Sequence, residues 1–245
     1  VTFDDGYVDN HDIVLPILKR HGLTAVIFVS TGYVGSGQTF WYDQLAYEVL
    51  HTRVSQLSME PGGAKQDLGV TEAQRREVLD KLLRHLKAVS NDVRIATLAQ
   101  WRAEMGSLVD VDLPNSLHRP MNWDEVKALS DAGIEIGSHT VSHPVLPRIT
   151  DPAQLESEMV DSKAELGARL GKPVLSFAYP TGGPGAYSKP VIECAERAGY
   201  RFAFTYRGGL NQRDSWHGYL VRRLAIERYI SRERFQASLA APTFF

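Results

Sequence analysis

Short apolar runs rich in β-branched residues alternate along this chain with amphipathic stretches of helical length. That alternation predicts parallel strands joined by helical crossovers, an α/β fold in which helices cover a parallel sheet. Strands are expected at residues 1–4, 24–30, 134–138, 174–178, 202–206 and 220–226, and helices at 10–21, 41–51, 122–132, 152–170, 187–198 and 232–239. Several helices carry start or stop signals, such as Asn122 before Trp123 and Gly199 after Ala198. Six strands with about one helix each predict a barrel or a wide sheet.

The alternation breaks between residues 41 and 121. This interval carries a hairpin-like piece around Pro61, Gly62 and Gly63, then two helical stretches at 71–90 and 93–105. It reads as an insertion on one loop of a single domain spanning 1–245, serving either to shape a cleft or as a packing elaboration or dimer surface.

The charge balance narrows the partners. With 27 Lys and Arg against 29 Asp and Glu, the net charge of −2 gives no basic field of the kind nucleic-acid binding needs. The one cysteine, Cys194, excludes an internal disulfide and fits a helical pattern as a small core residue. No run approaches the roughly 18 apolar residues of a membrane span. Val1 already stands inside a strand, with no initiator Met, so the N-terminus reads as truncated, and a signal peptide or anchor is compatible with the missing segment. The compartment, cell envelope or cytoplasm, and the oligomeric state stay open.

Three strand ends carry the chemistry. The first is Val1-Thr2-Phe3-Asp4-Asp5-Gly6-Tyr7, an apolar strand ending in two carboxylates and a glycine. Parallel β/α folds place their active sites at the C-terminal ends of strands. Adjacent side chains on a strand point to opposite faces, so both carboxylates reach one site only if the chain is already turning, which Gly6 permits. Alone, the tripeptide reads equally as a surface turn.

The second is Ile134-Glu135-Ile136-Gly137-Ser138-His139-Thr140-Val141-Ser142-His143-Pro144, a strand running into a loop with imidazoles at i and i+4. One helical turn would bring both onto a shared ion, while either histidine alone is more often structural. Two His and one Asp leave coordination positions open, as catalytic rather than structural sites do. One of the two aspartates would complete that set, and the other, unbound, would take a proton from water polarised by the ion.

The third is Ser176-Phe177-Ala178-Tyr179-Pro180-Thr181-Gly182-Gly183-Pro184-Gly185, a strand end followed by a loop that either presents backbone N–H groups to an oxyanion or only connects. Its spacing does not fit a phosphate-cradling loop. Trp41, Tyr42, Trp123 and Trp216 are candidates for stacking on sugar rings or, as amphipathic-face residues, for the core.

Together these segments resemble the polysaccharide deacetylase family, carbohydrate esterase family 4. Thr2-Phe3-Asp4-Asp5-Gly6 looks like its first motif, and Ser138-His139 through His143-Pro144 like its second. The resemblance implies a distorted parallel (β/α) barrel of about seven strands, with a largely helical insertion. It implies a hydrolase of carbon–nitrogen bonds that removes N-acetyl groups from an N-acetylglucosamine-containing saccharide, with exopolysaccharide among the candidates. Asp4 would be the general base, and Asp5, His139 and His143 would bind a divalent metal, usually zinc. Tyr179 with Pro180, Thr181 and Gly182 looks like the third motif, in the form Phe-Ala-Tyr-Pro-x-Gly, where a backbone N–H near Tyr179 would help hold the oxyanion and the loop would line the substrate.

Two departures stand out. The Arg that many relatives carry before the Pro of the third motif is missing, as is their late Leu-x-His. Arg223 stands in a late strand and either supplies a cation to Asp4 or is a surface charge. His217 is the one late histidine, in flanks unlike the family's, so the general acid is unassigned. Two other readings remain: a non-catalytic saccharide-binding domain that kept the metal site, and an amidase acting on a small nitrogen compound. The first has no need for Asp4, and the intact Asp5, His139 and His143 set favours the metal route used on saccharides over the second.

Overall fold

The computed structural model describes residues 1–59, 63–106, 118–214, 216–227 and 229–242. Seven strands lie in this part of the chain: β1 (Thr2–Phe3), β2 (Val26–Val29), β3 (Gln56–Ser58), β4 (Lys65–Asp67), β5 (Glu135–Ser138), β6 (Ser176–Ala178) and β7 (Phe202–Phe204). Five of them form one parallel sheet in the order β1-β2-β5-β6-β7, and β3 and β4 pair separately as an antiparallel hairpin. The expected barrel is thus a curled half-barrel among the described residues. Pro61 and Gly62, read as the tip of the hairpin, lie outside them.

The register explains where a site can form. Phe3 pairs with Ile27, Val29 with Ser138, Ser138 with Phe177 and Ala178 with Phe204, so the strands end nearly level. Asp4, Ser30, His139, Tyr179 and Thr205, the residues that leave these strands, line one edge at their C-terminal ends.

The sixth expected strand, 220–226, is reduced to a single parallel bridge between Phe204 and Val221. Its start pairs well, with Val221 N–H on the Ala203 carbonyl (2.9 Å) and Thr205 N–H on the Val221 carbonyl (2.9 Å). The next N–H on that side, from Arg223, donates to the Arg207 carbonyl (3.1 Å) rather than to Thr205, whose carbonyl accepts from the Arg223 side chain (2.9 Å), and the ladder stops there.

Among the described residues, eight α-helices follow the expected positions: α1 (Leu15–His21), α2 (Trp41–His51), α3 (Glu72–Ala88), α4 (Asn91–Met105), α5 (Trp123–Asp131), α6 (Pro152–Leu170), α7 (Lys189–Arg197) and α8 (Arg232–Ala240). The stretch expected as one helix from Asn10 opens as a π-helical turn, Asn10–Val14, before α1. Local caps set other starts: Asn122 and Glu125 form a capping box on α5, as Thr71 and Gln74 do on α3.

The core has two parts. Ile27, Val29, Ile136 and Phe177 on the sheet pack with Leu129, Met159, Leu166 and Ala195 from the covering helices. A second cluster joins Trp41, Leu45, Leu57, Leu82 and Trp101, from α2, β3, α3 and α4. Each Leu, Ile, Val, Phe or Met side chain among them, fully buried, contributes about 1.5–3 kcal/mol. No helix of the described residues is long and apolar enough to cross a membrane.

Candidate active site

The chain leaves β1 and turns at once. Asp5 has φ 75° and Gly6 φ 91°, and the Gly6 N–H donates back to the Asp4 carbonyl (3.0 Å). A side chain at Gly6 would need that disfavoured φ and would put its Cβ 3.2 Å from a Val29 methyl. Because of this turn the two adjacent carboxylates find different partners. Arg223 donates from Nη1 and Nη2 to Oδ1 and Oδ2 of Asp4, 2.7 Å each. Its Nε donates to the Thr205 carbonyl (2.9 Å). Asp5 faces two imidazoles, its Oδ1 lying 3.2 Å from Nε2 of both His139 and His143.

The histidine loop is built from hydrogen bonds. His139 Nδ1 donates to the Ala178 carbonyl (2.7 Å), which fixes the tautomer and turns the Nε2 lone pair toward Asp5. The hydroxyl of Thr140 accepts from the His143 N–H (3.0 Å). Glu158, buried on α6, accepts from the N–H groups of Val141 and Ser142 at 2.9 Å each and from the Ser142 hydroxyl at 2.5 Å. Trp41 Nε1 donates to the His143 carbonyl (3.1 Å).

Among the described residues, the non-glycine positions with positive φ are Asp5 (75°), Thr140 (70°), His143 (54°) and Thr181 (64°). All lie in the three motif segments, and two are β-branched, for which this region is most costly. Backbone strain is held where side chains must be aimed.

This donor set fits a cation. One atom each from Asp5, His139 and His143 can be chosen within 4.8 Å of one another. At 3.2 Å, His139 Nε2 and the Asp5 oxygen need a positive charge between them, a proton on the ring or an ion in the set. Ligands about 2.0–2.2 Å from one ion stand at comparable spacings. Burial acts to raise the Asp5 carboxyl, but the hydrogen bonds and charges of His139 and His143 outweigh it and hold the group far below the usual carboxylate range. Burial pushes the His143 imidazole down, and the Asp5 hydrogen bond does not offset it. At His139 burial acts the same way, but the Asp5 hydrogen bond and the charges of Asp4 and Asp5 outweigh it and raise the imidazole.

The third motif is arranged differently from expectation. Tyr179 is fully buried, its hydroxyl donates to the Tyr219 carbonyl (3.0 Å), and its N–H donates to the Phe204 carbonyl (3.1 Å), so no donor of Tyr179 is left for a ligand. The pairing of β6 with β7 runs one residue past the apolar run and takes that N–H. Among the described residues, no partner takes the N–H groups of Thr181 and Gly182, and of Pro180, Thr181 and Gly182 only Thr181 is exposed. Gly182 lies so close to Tyr206 that a Cβ would sit 2.6 Å from that residue's Cβ.

Other expected residues lie apart. His217 accepts from the Tyr219 N–H (3.2 Å) and lines a cavity of about 480 Å³ with Arg207, Trp216 and Arg222, away from the aspartate and histidine cluster. Trp41 is buried, Trp123 is partly buried beneath the Arg169 guanidinium, and Trp216 stays exposed, stacked on Phe202. Sequence reasoning missed Glu158, whose helix pattern marks nothing unusual. It also missed the contact of Tyr42 with Asp5, for which the adjacent Trp41-Tyr42-Asp43 at a helix start was the one available signal.

With this geometry in view, the comparisons agree. The polysaccharide deacetylase family model matches residues 1–203. YxkH of Bacillus subtilis (strain 168), named among polysaccharide deacetylases, is 24% identical over 237 residues, covering 97% of this chain and 54% of that protein. The chain thus spans about half the length of that curated relative. The Streptococcus pyogenes deacetylase PplD in complex with acetate matches with a TM-score of 0.56 at 20% identity, over 96% of this chain and 67% of that one. IcaB from Ammonifex degensii matches with a TM-score of 0.57 at 17% identity, over 97% and 70%. At such identities the structural likeness is one of fold.

Proposed function

The chain belongs to the polysaccharide deacetylase family, and from that footing we propose that it hydrolyses N-acetyl groups on an N-acetylglucosamine-containing saccharide with the help of a divalent metal. The observation that carries this reading is the division of two neighbouring carboxylates: Asp5 joins two imidazoles, while Asp4 stands outside that set in the grip of Arg223.

Asp5, His139 and His143 would hold the ion, and one oxygen with two nitrogens suits zinc. When bound, the ion would supply Lewis-acid chemistry, polarising water and the acetyl oxygen. Asp4 takes a proton from the attacking water, whose oxygen bonds to the acetyl carbon. Arg223 fixes the plane of the Asp4 carboxylate through both oxygens. The N–H groups of Thr181 and Gly182 are the donors available to the oxyanion. As the carbon–nitrogen bond breaks, Asp4 returns its proton to the nitrogen, leaving acetate and a free amine, a role that the absence of a late histidine at the cluster leaves to it.

The test is acetate release from N-acetylglucosamine oligomers, peptidoglycan fragments and β-linked N-acetylglucosamine polymer by metal-stripped protein, with and without zinc. Zinc-dependent release that falls about 10²–10⁴-fold in Asp4→Asn, with metal still bound, is expected. Full activity of Asp4→Asn refutes the assignment of the base.

A further inference from the structure

We infer that Trp41 and Tyr42, successive residues opening α2, are positioning residues that clamp Asp5 and His143 into the metal-ligand set; this rests on the metal-site reading above. The two histidines are not held alike. The ring of His139 is oriented by its bond to the Ala178 carbonyl. His143 Nδ1, by contrast, is buried with no hydrogen-bond partner among the described residues. Its aim must come from its backbone and from packing, and α2 with the residue before it supplies both. Trp41 Nε1 ties down the His143 carbonyl at 3.1 Å, while the rings of Tyr42 and Phe40 stand 5.2 and 6.1 Å from the imidazole.

Asp5 is held from the same helix. The Tyr42 hydroxyl donates to its Oδ2 at 2.9 Å, which leaves Oδ1 for the imidazoles and stops a carboxylate whose terminal torsion is otherwise broad from rotating. The clamp is itself braced. The Trp41 ring lies in the second core with the Arg94 guanidinium 4.8 Å from its centroid. Tyr7 lies between Tyr42 and Asp43, its hydroxyl donating to Asp43 Oδ2 at 2.6 Å and lying 3.3 Å from the Tyr42 hydroxyl. The helical segment that interrupts the strand–helix alternation is thereby joined to two of the three ligands, rather than being decoration on the barrel.

Hydrogen bonds to ligating side chains typically change metal affinity by about 10–100-fold. The experiment measures zinc affinity by competition with a chromophoric chelator and the visible spectrum of the cobalt-substituted protein. It compares the unaltered chain with Tyr42→Phe, Trp41→Phe and Leu45→Ala, the last weakening the α2 core without touching Asp5 or His143. Expected is about a 10–100-fold loss of zinc affinity and a changed cobalt spectrum in Tyr42→Phe and Trp41→Phe. Leu45→Ala should lower the melting temperature but keep the affinity of the folded protein. Unchanged affinity and spectrum in Tyr42→Phe overturn the clamp, as does an equal loss in Leu45→Ala. An unaltered chain that binds no zinc overturns the metal site itself, and the clamp with it.

Discussion

Arg223 grips Asp4 through both carboxylate oxygens at 2.7 Å, across 219 positions of sequence. The guanidinium is largely buried between the rings of Phe28 and Tyr206, 5.7 and 5.5 Å from their centroids. Its Nε donates to the Thr205 carbonyl and its Nη1 also to the Thr2 hydroxyl (3.2 Å), so the group cannot swing away without stranding a backbone acceptor. A cation from the last bridged segment of the sheet thus fixes a carboxylate at the end of the first strand.

Arg223→Lys tests whether that geometry, and not only its charge, matters. An ammonium is a point charge and cannot meet two coplanar oxygens and the Thr205 carbonyl together. The expected result is a fall in kcat/KM of about 10²-fold, with metal stoichiometry unchanged by elemental analysis. A variant with the full rate would detach Arg223 from the positioning of the base.

Legibility in the sequence followed the range of the forces involved. Helices α2 and α6 have the bounds their periodicity predicts, 41–51 and 152–170, because caps and apolar spacing are local. The strand at 220–226 stops after Val221 because the Arg223 N–H goes to the Arg207 carbonyl and the Thr205 carbonyl to the Arg223 side chain, a choice no local pattern encodes. His139, His143 and Asp5 stood out by spacing and strand-end position, and the structure brings them together. The bond between Tyr42 and Asp5 spans 37 positions, and its one local trace, Trp41-Tyr42-Asp43 at a helix start, names no partner. Tyr179 misled for the opposite reason: its motif was visible, but strand pairing had already taken its N–H.

Glu158 makes a second, graded prediction. Its two oxygens satisfy the N–H groups of Val141 and Ser142 and the Ser142 hydroxyl, in the loop between the two histidines. Glu158→Ala strands two donors at a cost of about 1–3 kcal/mol each and should loosen zinc binding by about 10–100-fold. Glu158→Gln keeps a carbonyl oxygen for both N–H groups and an amide that can donate to the hydroxyl, so most of the loss should return. Chemical denaturation and chelator competition should rank Glu above Gln and Gln above Ala. Equal affinity in all three would separate this loop from the metal site.

A third prediction concerns pH, at the start of α5. Glu125 accepts from Arg119 at 2.9 and 2.5 Å and from the Asn122 N–H at 2.8 Å, closing the capping box. The Arg119 carbonyl in turn accepts from the Val8 N–H (2.9 Å), and Met121 N–H donates to the Gly6 carbonyl (2.9 Å), so this corner braces the turn that carries Asp5. Burial works to raise the Glu125 carboxyl, but the Arg119 and Asn122 bonds outweigh it and its pKa is lowered. A carboxylate with a depressed folded pKa stabilises the fold above its unfolded value, about 4.3, and loses that contribution as pH falls through the folded value. Glu125→Gln should therefore cost about 0.5–2 kcal/mol at pH 7, a difference that narrows steadily below about pH 4. Urea unfolding of the metal-free proteins at pH 7, 5 and 3.5 measures it. A difference that does not change with pH would mean that Glu125 acts through shape and hydrogen-bond count, and that its charge contributes nothing to holding the corner.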